Sequence, residues 1–73
     1  MATEKVESEI TGKVWKIVAQ PGARLAEEDT IMILESMKME IPVLAPVAGT
    51  LTKVNVKEGD DVSEGQAVAE MAT

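Results

Sequence analysis

The sequence contains no cysteine, histidine, tyrosine or phenylalanine. Without cysteine or histidine there is no disulfide framework, no zinc site of the usual kind, and no thiol or imidazole catalysis. Trp15 is the only aromatic residue, so the interior has to be assembled from Val, Ile, Leu, Ala and Met. Positive charge is also scarce: 7 Lys and Arg stand against 13 Asp and Glu, a formal charge of −6. Nucleic-acid phosphates and anionic lipid both reward Lys and Arg, so neither is an expected partner. A basic protein surface fits better. No stretch approaches the roughly 20 apolar residues of a membrane helix. Met1-Ala2-Thr3-Glu4-Lys5-Val6-Glu7 has neither the basic start nor the long apolar run of a signal peptide. The expectation is a soluble, cytoplasmic protein, monomeric in isolation. An active site of its own is not expected. There is no Ser/His pair and no Gly-rich phosphate loop, and Asp60-Asp61 falls in a turn that needs no metal.

What is present suggests one small folded domain spanning residues 1–73. An apolar fraction of 45% is ordinary for a folded chain. A chain of this length buries only about 60% of the surface its unfolded form exposes, which leaves a thin core and little room for a deep pocket. The chain also repeats itself. A shift of 37 positions pairs Val6 with Val43, Gly12 with Gly49, Lys16 with Lys53, Gly22 with Gly59 and Glu27 with Glu64. Similar apolar residues pair as well: Ile10 with Val47, Val14 with Leu51, Ile17 with Val54, Leu25 with Val62, Ile31 with Val68. Turn glycines and apolar positions agree together, which points to two copies of one unit in a pseudo-symmetric domain.

Each copy reads as short strands separated by turns. Gly12-Lys13 and Gly49-Thr50 open the segments Val14 to Ala19 and Leu51 to Val56. Their apolar sites, Val14, Ile17, Ala19 and Leu51, Val54, Val56, are spaced three and then two apart. That spacing predicts β-bulges near Trp15-Lys16 and Thr52-Lys53. Pro21-Gly22 suits a tight turn, with Pro fixing φ and Gly accepting a positive φ; Glu58-Gly59-Asp60 is its counterpart. Leu25 and Val62 then fall in short strands, and Ile31–Leu34 and Ala67–Met71 close the copies. A helix over Leu25 to Lys38 has favourable composition. However, Leu25, Ile31, Ile33 and Leu34 form no helical stripe, and Gly59 and Gly65 weaken a helix in the second copy. The fold class predicted is all-β, a sandwich or flattened barrel.

Between the copies lies Glu35-Ser36-Met37-Lys38-Met39-Glu40, flanked by Ile31-Met32-Ile33-Leu34 and Ile41-Pro42-Val43-Leu44. With Met37-Lys38 as a two-residue hairpin loop, Ser36 faces Met39, Glu35 faces Glu40, Leu34 faces Ile41 and Met32 faces Val43. Alternation then places Met32, Leu34, Ile41 and Val43 on the core face. Ile31, Ile33, Pro42 and Leu44 fall on the opposite face, with Glu35 and Glu40 near a free tip. Two local rules break there. Such loops favour Asn-Gly because they need positive φ, so Met-Lys carries strain unless the turn is longer. Glu35 and Glu40 also oppose each other as like charges, and departures of this kind collect at functional sites. A Schiff-base or general-base lysine needs a desolvated pocket, which a loop tip does not offer. Spacing alone leaves two readings open: a surface lysine that offsets the two glutamates, and a lysine modified by another enzyme.

Glu35-Ser36-Met37-Lys38-Met39 resembles the E-A/S-M-K-M attachment motif of biotinyl domains, the biotin carboxyl carrier domains of biotin-dependent carboxylases. Ala45-Pro46-Val47-Ala48-Gly49-Thr50 and Val56 to Val62 through Gly65-Gln66 also resemble that family, so the likeness covers nearly the whole chain. The resemblance implies a flattened β-barrel of two four-stranded antiparallel sheets with pseudo-twofold symmetry, the lysine on the hairpin between the halves and the termini at the far end. It implies covalent biotin on Lys38, placed there when the lysine amine attacks biotinyl-adenylate held by a biotin protein ligase. The tethered biotin would then shuttle a carboxyl group between biotin carboxylase and carboxyltransferase sites. Glu35, Met37 and Met39 would be flanking recognition residues, with turn packing the plainer reading of the methionines and solvation that of the glutamates. Lipoyl domains of 2-oxoacid dehydrogenases share the fold but usually carry Asp-Lys-Ala at the tip. Met-Lys-Met therefore favours biotin, with lipoate as the alternative. An unmodified acidic interaction module is a third possibility. The likeness is greatest to small stand-alone biotin/lipoyl attachment proteins, and no inserted thumb segment is present.

Overall fold

Glycine and proline divide the chain into strands, and the alternation of apolar residues decides which face of each strand turns inward. The computed structural model describes residues 2–73. Eight strands follow in order: β1 (Thr3–Glu7), β2 (Gly12–Ile17), β3 (Arg24–Leu25), β4 (Thr30–Ser36), β5 (Met39–Leu44), β6 (Gly49–Val54), β7 (Asp61–Val62) and β8 (Ala67–Ala72). They form two four-stranded antiparallel sheets, ordered β1-β8-β6-β3 and β5-β4-β2-β7. A 37-residue shift carries β2 onto β6 and β3 onto β7, residue for residue. The same shift exchanges the two sheets, which is the pseudo-twofold relation read from the repeat. The result is a flattened sandwich of 36 × 18 × 18 Å.

Both anticipated bulges are present. Register slips between Val14 and Lys16 where β2 meets β4, and between Leu51 and Lys53 where β6 meets β8. The turns match as well. Gly22 has φ 98° beneath a 3.0 Å bond from Ala23 N–H to the Gln20 carbonyl, and Gly59 has φ 92° beneath one of the same length from Asp60 N–H to the Lys57 carbonyl. The β1–β8 and β4–β5 ladders are extended at two equivalent points, one in each sheet. The Gly65 N–H donates to the Ser8 carbonyl at 2.7 Å, and the Glu28 N–H donates to that of Ala45 at 2.8 Å. Ser8 is the one buried polar side chain among the described residues, and its hydroxyl donates to the Ile10 carbonyl at 2.6 Å. That bond removes the cost of burying it.

The core consists of Val, Ile, Leu, Ala and Met alone, as the shortage of aromatics requires. Leu34, Leu51, Met71 and Met32 have no exposed surface, and burying each such side chain contributes about 1.5–3 kcal/mol. One expectation fails at Ile31, placed on the outer face by strict alternation. Register shifts between Thr30 and Met32 on β4, and the bulge turns both Ile31 and Met32 into the core, each with no exposed surface. Val68 and Ala69 repeat this in the other half, where register shifts between Val6 and Glu7 opposite them. Pro42 lies on the edge strand β5, where sheets accommodate proline. Among the described residues no helix is long and apolar enough to cross a membrane.

Candidate functional site

The β4–β5 hairpin has the expected register near its tip: Ser36 opposite Met39, Glu35 opposite Glu40, Leu34 opposite Ile41 and Met32 opposite Val43. The loop is only Met37 and Lys38, with φ of 52° and 65°. Both lie in the left-handed region, which costs an L-residue roughly 1–2 kcal/mol. The turn is as short as drawn, and it does carry strain.

Anchoring of the hairpin runs up to Ser36 and stops there. Leu34 is fully buried, and the Ser36 hydroxyl donates to the Thr11 carbonyl at 3.1 Å. Gly12 lets β2 approach closely. A Cβ at that position would lie 2.7 Å from the Glu35 carbonyl oxygen, nearer than real side chains come. Beyond this support Met37 is 90% exposed, Met39 is 58% exposed, and Lys38 is exposed between them. At 90% exposure Met37 covers almost nothing, so turn packing does not account for it. A primary amine held clear of the barrel on a fixed turn is accessible to another protein's active site and suits a covalently held group.

The charges behind the tip have an arrangement that sequence reasoning missed. Asp61 of β7 is opposite Lys13 of β2, Lys13 is opposite Glu35 of β4, and Glu35 is opposite Glu40 of β5. One row across the sheet therefore reads acid, base, acid, acid. Lys13 stands directly across from Glu35, and Lys38 is exposed at the tip beyond this row. The only signal in the sequence was that Lys13 follows a turn glycine; its neighbours depend on strand order. Glu35, Met37, Lys38 and Met39 thus share one hairpin, with Glu35 set back in the sheet and the other three at its end.

A separate concavity lies away from the tip. It is an open groove of about 750 Å³ between β1 and β5, lined by Val6, Ile10, Ile41, Val43 and their neighbours, and it includes neither Lys38 nor its flanking methionines. Among the described residues there is no cluster of three or more metal-ligating side chains.

Comparison with known proteins gives a consistent result. The family described as "Biotin-requiring enzyme" matches residues 2–71. The chain is 46% identical over 66 residues to the biotinylated protein TB7.3 homolog of Mycobacterium leprae, covering 90% of this chain and 93% of that one. It is 39% identical over 67 residues to the biotin/lipoyl attachment protein of Bacillus subtilis, covering 92% of each. Among solved structures, the urea carboxylase of Kluyveromyces lactis superposes with a TM-score of 0.93 at 38% identity. That match covers 99% of this chain and 6% of the carboxylase.

Proposed function

The chain belongs to the biotin/lipoyl attachment domain family, and on that premise we propose that Lys38 is where it is covalently loaded with biotin. The observation that carries this reading is the turn: two exposed, non-glycine residues at positive φ hold the lysine amine beyond the end of the sheet. The ε-amine would attack the acyl carbon of biotinyl-adenylate on a biotin protein ligase. An amide forms, AMP leaves, and the amine's proton passes to solvent. Once attached, biotin supplies a ureido nitrogen able to carry a carboxyl group from a biotin carboxylase site to a carboxyltransferase site.

The chain's own part is presentation. Tethering raises the effective concentration of the carried group at each partner site, and a turn already held in one conformation reduces the ordering cost of docking. Met37 and Met39 flank the amine with flexible, polarisable thioethers, which adapt to more than one partner surface. Glu35 and Glu40, on a chain of charge −6, favour basic surfaces around those partner sites. The test is intact mass after incubation with a biotin ligase, ATP and biotin. One biotinyl adduct is expected on the native chain and none on Lys38→Arg. A native chain left unmodified by active ligase rules the reading out, and the mass of any adduct formed in the source organism separates biotin from lipoate.

A further inference from the structure

Trp15 is the largest side chain in the molecule, and the core does not use it. It is 49% exposed at the β2 bulge, where Val14 takes the inward place. Its counterpart in the other half is Thr52, whose hydroxyl donates to the Glu70 carbonyl at 3.0 Å. The fold therefore accepts a small polar residue at this position. An indole left half in water is an exposed apolar surface that packing does not explain.

The neighbours of Trp15 extend that surface across the sheet. The bulge falls between the pairs Val14–Leu34 and Lys16–Ile33, which puts Trp15 beside Lys16 at the level of Ile33, and Ile33 is opposite Pro42 of β5. Ile33 is half-buried and Pro42 exposed. Trp15, Ile33 and Pro42, with Lys16 beside them, lie at one level on the outer face of the sheet that ends in Lys38 and form a largely apolar shelf there. Only the charged row through Lys13 and Glu35 separates shelf from tip. At ~3.4 Å per residue, the shelf lies about 15 Å behind Lys38. A lysine side chain extended by a five-carbon acyl arm has about ten bonds to the carried ring, and with the ring it reaches roughly 15 Å.

We propose that the sulfur-containing ring tethered to Lys38 folds back along this face and rests on Trp15. The inference depends on Lys38 being the attachment residue. Biotin and lipoate both end in a saturated five-membered ring containing sulfur, and sulfur against an aromatic edge is a favourable contact. The tether supplies an effective concentration on the order of millimolar, so a contact too weak to hold a free ligand is occupied a large part of the time. An open shelf also releases the ring readily to a partner. The carried group thereby has a resting place that does not compete with delivery.

Trp15 is the sole source of tryptophan fluorescence, so the chain reports on itself. The native protein is compared before and after loading by biotin ligase, with intact mass confirming the adduct. Loading is expected to shift the emission to the blue and to lower the acrylamide quenching constant roughly twofold, as a half-occupied contact requires. The lipoate-loaded chain is expected to show the same protection. Trp15→Ala, once loaded, is expected to be captured by avidin about twofold faster than the native chain, as release of a half-occupied contact requires, while Trp15→Phe keeps the slow rate. A chain that carries the adduct by mass but is quenched like the unloaded one overturns the docking and leaves the attachment reading intact. A chain that carries no adduct overturns the attachment reading itself.

Discussion

At one end of the barrel Ser36 pairs with Met39 and the chain turns through Met37 and Lys38. At the other end Thr73 and Ala2 occupy the equivalent positions and exchange backbone hydrogen bonds of 2.9 and 3.3 Å, with no turn joining them. The strands leading into each pair share the same bulge, and each is approached closely by a glycine. Gly12 faces the Glu35 carbonyl, and Gly49 faces that of Ala72. The pairing beneath the turn thus has a counterpart held by two backbone hydrogen bonds alone. The strained two-residue turn at the hairpin end therefore has no structural necessity behind it beyond joining the halves. Its residues are free to be chosen for what they present.

The deepest test of the equivalence lies in the core beneath each end. Leu34 and Met71 are repeat partners, and neither has any exposed surface. Leu34→Ala and Met71→Ala are each expected to lower stability by about 2–5 kcal/mol, through lost burial and the cavity left behind. Urea unfolding of both variants measures this. Losses that agree within about 2 kcal/mol support one shared core, given the usual spread for such truncations. A large loss at Leu34 with almost none at Met71 would mean that the hairpin end holds the fold alone, and the comparison fails.

A smaller effect separates the turn from its surroundings. Met37 and Lys38 adopt φ of 52° and 65°, and Glu28 adopts 74°, where its repeat partner Gly65 has 83°. An L-residue in that region costs roughly 1–2 kcal/mol, and glycine returns part of this as chain entropy. Glu28→Gly, Met37→Asn and Lys38→Gly are each expected to raise stability by about 0.5–1 kcal/mol. Glu28→Gly and Met37→Asn should leave Lys38 open to modification, and Lys38→Gly removes the acceptor. Chemical denaturation together with intact mass reads both. Lower stability in the two hairpin variants would show that the turn is packed after all, and the contrast between the ends would collapse.

These features were legible in the sequence to different degrees, for physical reasons. The two bulges could be read because Val14, Ile17, Ala19 and Leu51, Val54, Val56 break alternation in the same way, three and then two apart. The bulge at Ile31 could not, because Ile31-Met32-Ile33-Leu34 is apolar at every position and gives alternation no phase. The hairpin register followed from its loop length and from four apolar residues that had to share a face. Lys13 was beyond reach for another reason. Its position beside Glu35 depends on β2 lying between β4 and β7, and lateral strand order leaves no mark on a strand's own pattern. The exposure of Trp15 was legible by contrast: the spacing of Val14, Ile17 and Ala19 left it out of the inward set, and the bulge anticipated at Trp15-Lys16 puts it half in water.

The smallest effect concerns that charged row. Lys13 stands between Asp61 and Glu35, and Glu40 follows on the far side of Glu35. The termini end has no such row: Thr50, the repeat partner of Lys13, pairs with Ala72 and Arg24. Exposed cross-strand charge pairs contribute on the order of a few tenths of a kcal/mol, and salt screens them. Lys13→Gln is therefore expected to lower the urea midpoint slightly at low ionic strength and hardly at all in molar salt, whereas Thr50→Gln has no charge interaction to lose. If the Lys13→Gln deficit is the same at both salt concentrations, its side chain acts by packing and the like charges of Glu35 and Glu40 are left unbalanced.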